Sequence, residues 1–266
     1  MSRALLLVLT LFAGLVHADL AHAGTQCRQN LVTPAQWAAA TRSALAVARQ
    51  LDRHDQPVAL IARDGTDLRK HGLRYSHVGF AVRDHPDGRW TIVHLLNRCD
   101  ADNSALYAEG LINFFADDMV SYDSRIVWLN AERSTALLRL LNSEQIHQLH
   151  QPHYNLIAHP NSRRFQNSTS WALEVLAASA IGRDRVDRDA AQALAHALDY
   201  RPFWIHIPYS KRIAGGLFSA STHFNDHSVA ARLSGEYAVV TVESIFDWLR
   251  ANGWTSEEFE VEAGPG

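Results

Sequence analysis

The strongest constraint on the fold lies between residues 75 and 96. Tyr75 to Val82 is rich in β-branched and aromatic side chains, and Trp90 to Leu96 repeats that pattern. Between them, His85-Pro86-Asp87-Gly88 is turn chemistry. A hairpin closed through those residues pairs Asp84 with Arg89 and sets His94 opposite Gly79. His77 is then the diagonal neighbour of His94 on the same sheet face, within reach of a shared proton. A slip of one residue would turn the two rings to opposite faces. Gly79, lacking a side chain, leaves the face between them open to a substrate backbone.

The rest of the chain builds outward from this hairpin. Thr33-Pro34 reads as an N-cap followed by proline in the first helical turn. The helix it opens carries Trp37, Leu45, Ala48 and Leu51 near one face and ends around Arg53. Val58 to Ala62 reads as a short buried strand, Arg63 to Leu73 as a polar loop, and Ser124 to Leu129 as a further strand. Helical spacing recurs in Leu137, Leu138 and Leu141, in Ala172, Val175, Leu176 and Ser179, and in Ala191, Leu194, Ala195 and Leu198. Glu236 to Val242 reads as a strand and Ser244 to Leu249 as a helix. This alternation predicts an α+β fold, an antiparallel sheet packed by helices, as one domain over residues 24–255. Residues 256–266 read as a flexible C-terminal tail.

The N-terminus carries an export signature. Met1-Ser2-Arg3 is a short positive region, Ala4 to Val16 an uncharged apolar run, and Ala21-His22-Ala23 a small-x-small cleavage pattern. Residues 1–23 are therefore expected to be a signal peptide, and the mature chain periplasmic or secreted. The apolar run is too short to cross a bilayer, and no later stretch is long enough, so no membrane span is expected in the mature form. Cys27 and Cys99 are the two cysteines. In an oxidising compartment they favour a disulfide worth about 4 kcal/mol over a reactive Cys99. Formal net charge is −3, and the leader's Arg3 and Asp19 cancel, so bulk charge suggests neither nucleic acid nor an anionic membrane as partner.

A second segment with chemical potential is Gln166-Asn167-Ser168-Thr169-Ser170-Trp171, at the opening of a helix. A hydroxyl at a helix N-terminus sits beside unpaired N–H groups and the positive dipole end, which suits a nucleophile and an oxyanion. Asn, Ser and Thr are equally the residues that helices use as N-caps, so Ser168 has a structural reading beside the catalytic one. His223, Asp226 and His227 are possible metal ligands, but they sit among turn formers and read as a polar loop, so no metal is assigned. No phosphate loop, dinucleotide fingerprint or Gly-x-Ser-x-Gly elbow is present, and no cofactor is expected.

Tyr75-Ser76-His77-Val78-Gly79-Phe80, followed by a strand with His94, resembles the histidine half of NlpC-type cell-wall peptidases and their permuted papain-like relatives. In the permuted members an Asn-Cys-x-x-aromatic segment opening a helix follows the histidine strands. Asn167-Ser168-Thr169-Ser170-Trp171 looks like that segment, with serine in place of cysteine. The wider chain also resembles a family of exported proteobacterial proteins known only as a domain of unknown function. That likeness rests on Ala59 to Arg63, Arg74 to Gly79, Asn113-Phe114-Phe115 and Phe165 to Leu176.

The resemblance implies a permuted papain-like architecture and a hydrolase or acyltransferase acting on an amide or ester bond. The implied substrate is a cell-envelope small molecule or peptide, peptidoglycan peptides above all. Ser168 would attack, His77 would be its base and His94 the orienting partner, with Tyr75, Gly79, Asn167 and Trp171 along the substrate cleft. An alcohol needs a better-placed base than a thiol does. The same likeness therefore also admits an inactive envelope protein that binds its ligand in the same cleft.

Overall fold

The computed structural model describes residues 32–98, 101–182, 185–212 and 221–263. The expected signal peptide, Cys27 and Cys99 lie outside the described residues.

The fold is α+β, a six-stranded antiparallel sheet packed against helices. Its strands are β1 (Val58–Asp64), β2 (His77–His85), β3 (Gly88–Asn97), β4 (Ser104–Glu109), β5 (Ser121–Leu129) and β8 (Thr255–Val261), ordered β4-β3-β2-β1-β5-β8. A separate two-stranded ribbon joins β6 (Phe203–His206) to β7 (Glu236–Val239). The hairpin register is the one the turn dictates. Phe80 faces Val93, Ala81 faces Ile92, and Asp84 faces Arg89. Continuing that register sets Gly79 against His94.

Strand periodicity then sorts the core into two layers. Leu60, Val78, Phe80, Val82, Leu95 and Val127 point to one face. There they meet α3 (Ala131–Leu141), α5 (Ser168–Ile181), α6 (Arg188–Ala197) and α8 (Val242–Ala251). Ala59, Ile61, Ala81, Ile92, Ile126 and Trp128 point to the other face. That face is covered by α1 (Pro34–Leu51) and the short α2 (Leu111–Phe115), whose Phe114 and Phe115 are fully buried. A small helix, α4 (Gln145–Gln148), follows α3, and α7 (Val229–Ser234) precedes β7.

Helix α1 starts as expected, with Thr33 as N-cap in a capping box with Gln36 and Pro34 at the first position. Its buried face keeps Leu51 and Ala48 of the expected set but not Trp37 or Leu45. Ala40, Ala44, Val47 and Leu51 contact the core, while Trp37 and Leu45 are exposed. The alanines let the helix lie close to a layer already filled by Phe114, Phe115 and Trp128. Strand β1 also runs two residues further than expected, which places Arg63 inside the sheet and opposite His77.

The tail expected from Ser256 is instead most of edge strand β8. Ile126 faces Phe259, and Ser124 faces Val261. Its alternation explains the pairing. Phe259 and Val261 pack onto the core, while Glu258 and Glu260 meet Arg125 on β5. The charged positions that made this stretch look frayed are one face of a strand.

Candidate functional site

Three of the residues singled out by sequence come together. His77 at the start of β2 and His94 on β3 share a sheet face, with His77 Nε2 2.8 Å from His94 Nδ1. Gly79 lies on the same face, directly across from His94. His94 Nε2 lies 2.6 Å from Glu109 Oε1 on β4, a charge-assisted contact whose angle falls short of a straight hydrogen bond. Both rings touch Phe114, at centroid distances of 5.8 Å for His77 and 5.5 Å for His94. Arg63, also on this face, directs one Nη to the Phe114 carbonyl and the other to Asp117 at 3.0 Å.

This environment sets protonation. Burial holds His77 well below the usual histidine value, and the positive charge of Arg63 and then the neighbouring His94 depress it further. Burial also lowers His94, against the opposing pull of Glu109. Both rings are therefore neutral near pH 7. With its Nε2 proton turned to Glu109, His94 accepts at Nδ1 from His77 Nε2–H. The same burial keeps the guanidinium of Arg63 below its usual range, with Asp117 and Glu109 opposing. A Glu109–His94–His77 chain can pass a proton, but Phe114 and α2 cover it.

Gly79 does not leave the face open. A Cβ placed on it would come within 2.6 Å of Ile92 Cγ2 and 3.2 Å of His94 Cβ. The missing side chain makes room for these two neighbours rather than for a substrate.

The structure does not bring Ser168 to the histidines. Ser168 is the first residue of α5, which packs on the opposite sheet face, where Trp171 lies 5.6 Å from the ring of Phe80. The sheet stands between the hydroxyl-bearing helix and the imidazole pair, so the expected attack by Ser168 with His77 as base lacks its geometry. Asn167 is the cap. Its Oδ1 accepts from Ser170 N at 2.8 Å and Thr169 Oγ1 at 3.0 Å, and its Nδ2 donates to the Leu156 carbonyl at 3.0 Å. Trp171 is fully buried in the core rather than along a cleft. Tyr75 is also buried, its hydroxyl donating to Glu260 and its N–H to Glu243 Oε1 at 2.9 Å, which ties the start of β2 to β8 and α8.

A cavity of about 330 Å³ opens instead on the far side of α5, between α5, α6 and the β6–β7 ribbon. Leu173, Ala191 and Ala195 give it apolar walls, and Trp204, 60% exposed, stands at its rim. Glu174 and Gln192 supply polar groups. Glu174 is buried and takes hydrogen bonds from Arg188 Nε at 2.7 Å, Arg188 Nη2 at 2.9 Å and Gln192 Nε2 at 2.7 Å. Burial nonetheless raises its carboxyl above the usual range, outweighing Arg188, Gln192 and Gln166, whose Nε2 also donates to it at 2.5 Å. Nothing in the local sequence marks Glu174, Arg63 or Glu109, because each gains its role from partners distant in the chain.

The His223–His227 segment has other work. His223 stacks on Phe165 at 4.7 Å, and His227 Nε2 contacts the Ile157 carbonyl at 2.6 Å. Asp226 accepts from His159 N at 2.8 Å and Ser162 Oγ at 2.6 Å. Their side chains go to separate partners and do not converge.

Residues 50–249 match a family described as an uncharacterized protein conserved in bacteria, DUF2145. No curated protein and no solved structure matches the chain.

Proposed function

We propose that this chain, which belongs to the DUF2145 family, is a non-catalytic binding protein of the cell envelope, holding a small envelope molecule or peptide in the cavity beside Glu174. The observation that carries this reading is the cavity itself. Its apolar walls, a few fixed polar groups and an aromatic rim are the usual make-up of a small-molecule site, and its volume suits a short ligand. The envelope location rests on the leader-like first 23 residues.

Calorimetric titration with soluble peptidoglycan fragments tests it. Binding should weaken at least about tenfold in Trp204→Ala and in Ala195→Phe, which fills the space. Unchanged affinity in both variants would remove the cavity from the function.

A second reading, hydrolysis or acyl transfer by a permuted papain-like site, draws on the contact between His77 and His94 and on the resemblance of the two motifs. It requires Ser168 to share a face with His77. A serine-reactive phosphonate read by intact mass separates the two readings. An adduct on the native chain that is lost in Ser168→Ala would favour the enzyme, and absence of any adduct favours the binding protein.

A further inference from the structure

The end of the molecule formed by α7 and the turn after β6 carries apolar side chains in water. Val229 and Leu233, one helical turn apart on α7, are 61% and 78% exposed. Tyr209 is 70% exposed. These residues belong to one surface. The Arg212 guanidinium lies 5.4 Å from the centre of the Tyr209 ring and donates to the Arg232 carbonyl. Gly235, which ends α7, is packed so closely on this turn that a Cβ would fall 2.9 Å from the Ile207 carbonyl and 3.6 Å from Arg212.

The charge around that apolar surface is mainly positive. Lys211 sits near enough to His71 for its charge, with that of Lys70, to oppose protonation of a ring already disfavoured by burial. Lys70, Lys211, Arg212 and Arg232 have no carboxylate partner among the described residues. Of the nearby acids, Asp67 is paired with Arg69 at 2.9 Å, while Glu236 contacts His206 at 2.7 Å, which offsets its charge only when that ring is protonated.

We propose that this face docks on an anionic phospholipid surface, with Tyr209, Val229 and Leu233 entering the headgroup boundary and Lys70, Lys211 and Arg232 meeting lipid phosphates. Exposed aliphatic and tyrosine side chains ringed by unpaired cations are the make-up of an interfacial anchor. A soluble polyanion would satisfy the cations and leave Val229 and Leu233 in water. A second copy of the same face would set cations against cations. The net charge of −3 does not oppose docking, because the attraction is local and falls off within a Debye length.

Co-sedimentation of the mature chain with vesicles tests the proposal. The chain should pellet with vesicles of mixed phosphatidylglycerol and phosphatidylcholine, less so in high salt, and not with phosphatidylcholine alone. Leu233→Ser and Lys211→Gln/Arg232→Gln should each lower the bound fraction roughly tenfold. All three positions are on the surface, and unchanged circular dichroism would show that the fold is kept. No sedimentation with the anionic vesicles overturns the proposal. So does equal retention of Leu233→Ser, which with heparin binding would point to a soluble polyanion. A concentration-dependent dimer abolished by Leu233→Ser would assign the face to a second copy instead.

Discussion

His77 Nε2 lies 2.8 Å from His94 Nδ1, in a layer where neither ring is given the solvent it would need to carry charge. The pair makes stability depend on pH in one direction. Both folded values lie below the ordinary 6.5, so in acid the unfolded chain binds protons that the folded chain refuses. Stability from this source is complete above about pH 6.5 and is lost as pH falls below it. Urea midpoints measured between about pH 7 and pH 5 should fall in the native chain and fall less steeply in His77→Gln/His94→Gln. Parallel profiles would mean that the pair is already charged in the fold.

Asn167 and Ser168 should separate cleanly. Removing the cap in Asn167→Ala should cost about 2 kcal/mol, since its amide also serves Thr169 and the Leu156 carbonyl. Ser168→Ala should cost less than about 1 kcal/mol, because Ser168 is not the cap. Urea denaturation of the two variants checks the order.

Gly79→Ala should destabilise by about 1–3 kcal/mol, through the close approach of its new Cβ to Ile92. In a double-mutant cycle, Ile92→Ala should relieve part of that cost. Additive losses would show that the crowding lies elsewhere, with His94 Cβ the remaining close neighbour.

Glu174→Ala leaves the poorly hydrated guanidinium of Arg188 without its counter-charge, held only by the carbonyls of Ser162, Arg163 and Phe165. The expected loss is about 3–5 kcal/mol, and replacing Arg188 together with Glu174 should cost less than the two single changes added. Thermal unfolding of the three variants decides this.

Local chemistry made part of this legible in the sequence. The turn residues His85 to Gly88 set the hairpin register, and with it the meeting of His77 and His94. Thr33-Pro34 and Asn167 marked two helix starts. The face of the sheet on which each helix lies was not legible. Strand alternation says that His77 and Phe80 point oppositely, but nothing near Ser168 says that α5 lies on the side of Phe80. Glu109 escaped notice for a related reason: β4 is a partly exposed strand without a hydrophobic run, and its acid matters only once β3 lies beside it. In β8, alternating glutamates looked like solvation when read without the arginines they face.

The pairing of β5 with β8 carries a kinetic consequence. Ile126 must find Phe259 across half the chain, whereas Phe80 finds Val93 across a single turn. Closing so long a loop makes this pairing a late step in folding. Until it forms, the backbone groups of β5 that β8 will cover stay open beside Ile126 and Trp128. The half-assembled sheet is thus the species most prone to clump, and the one a holdase chaperone would be best placed to protect.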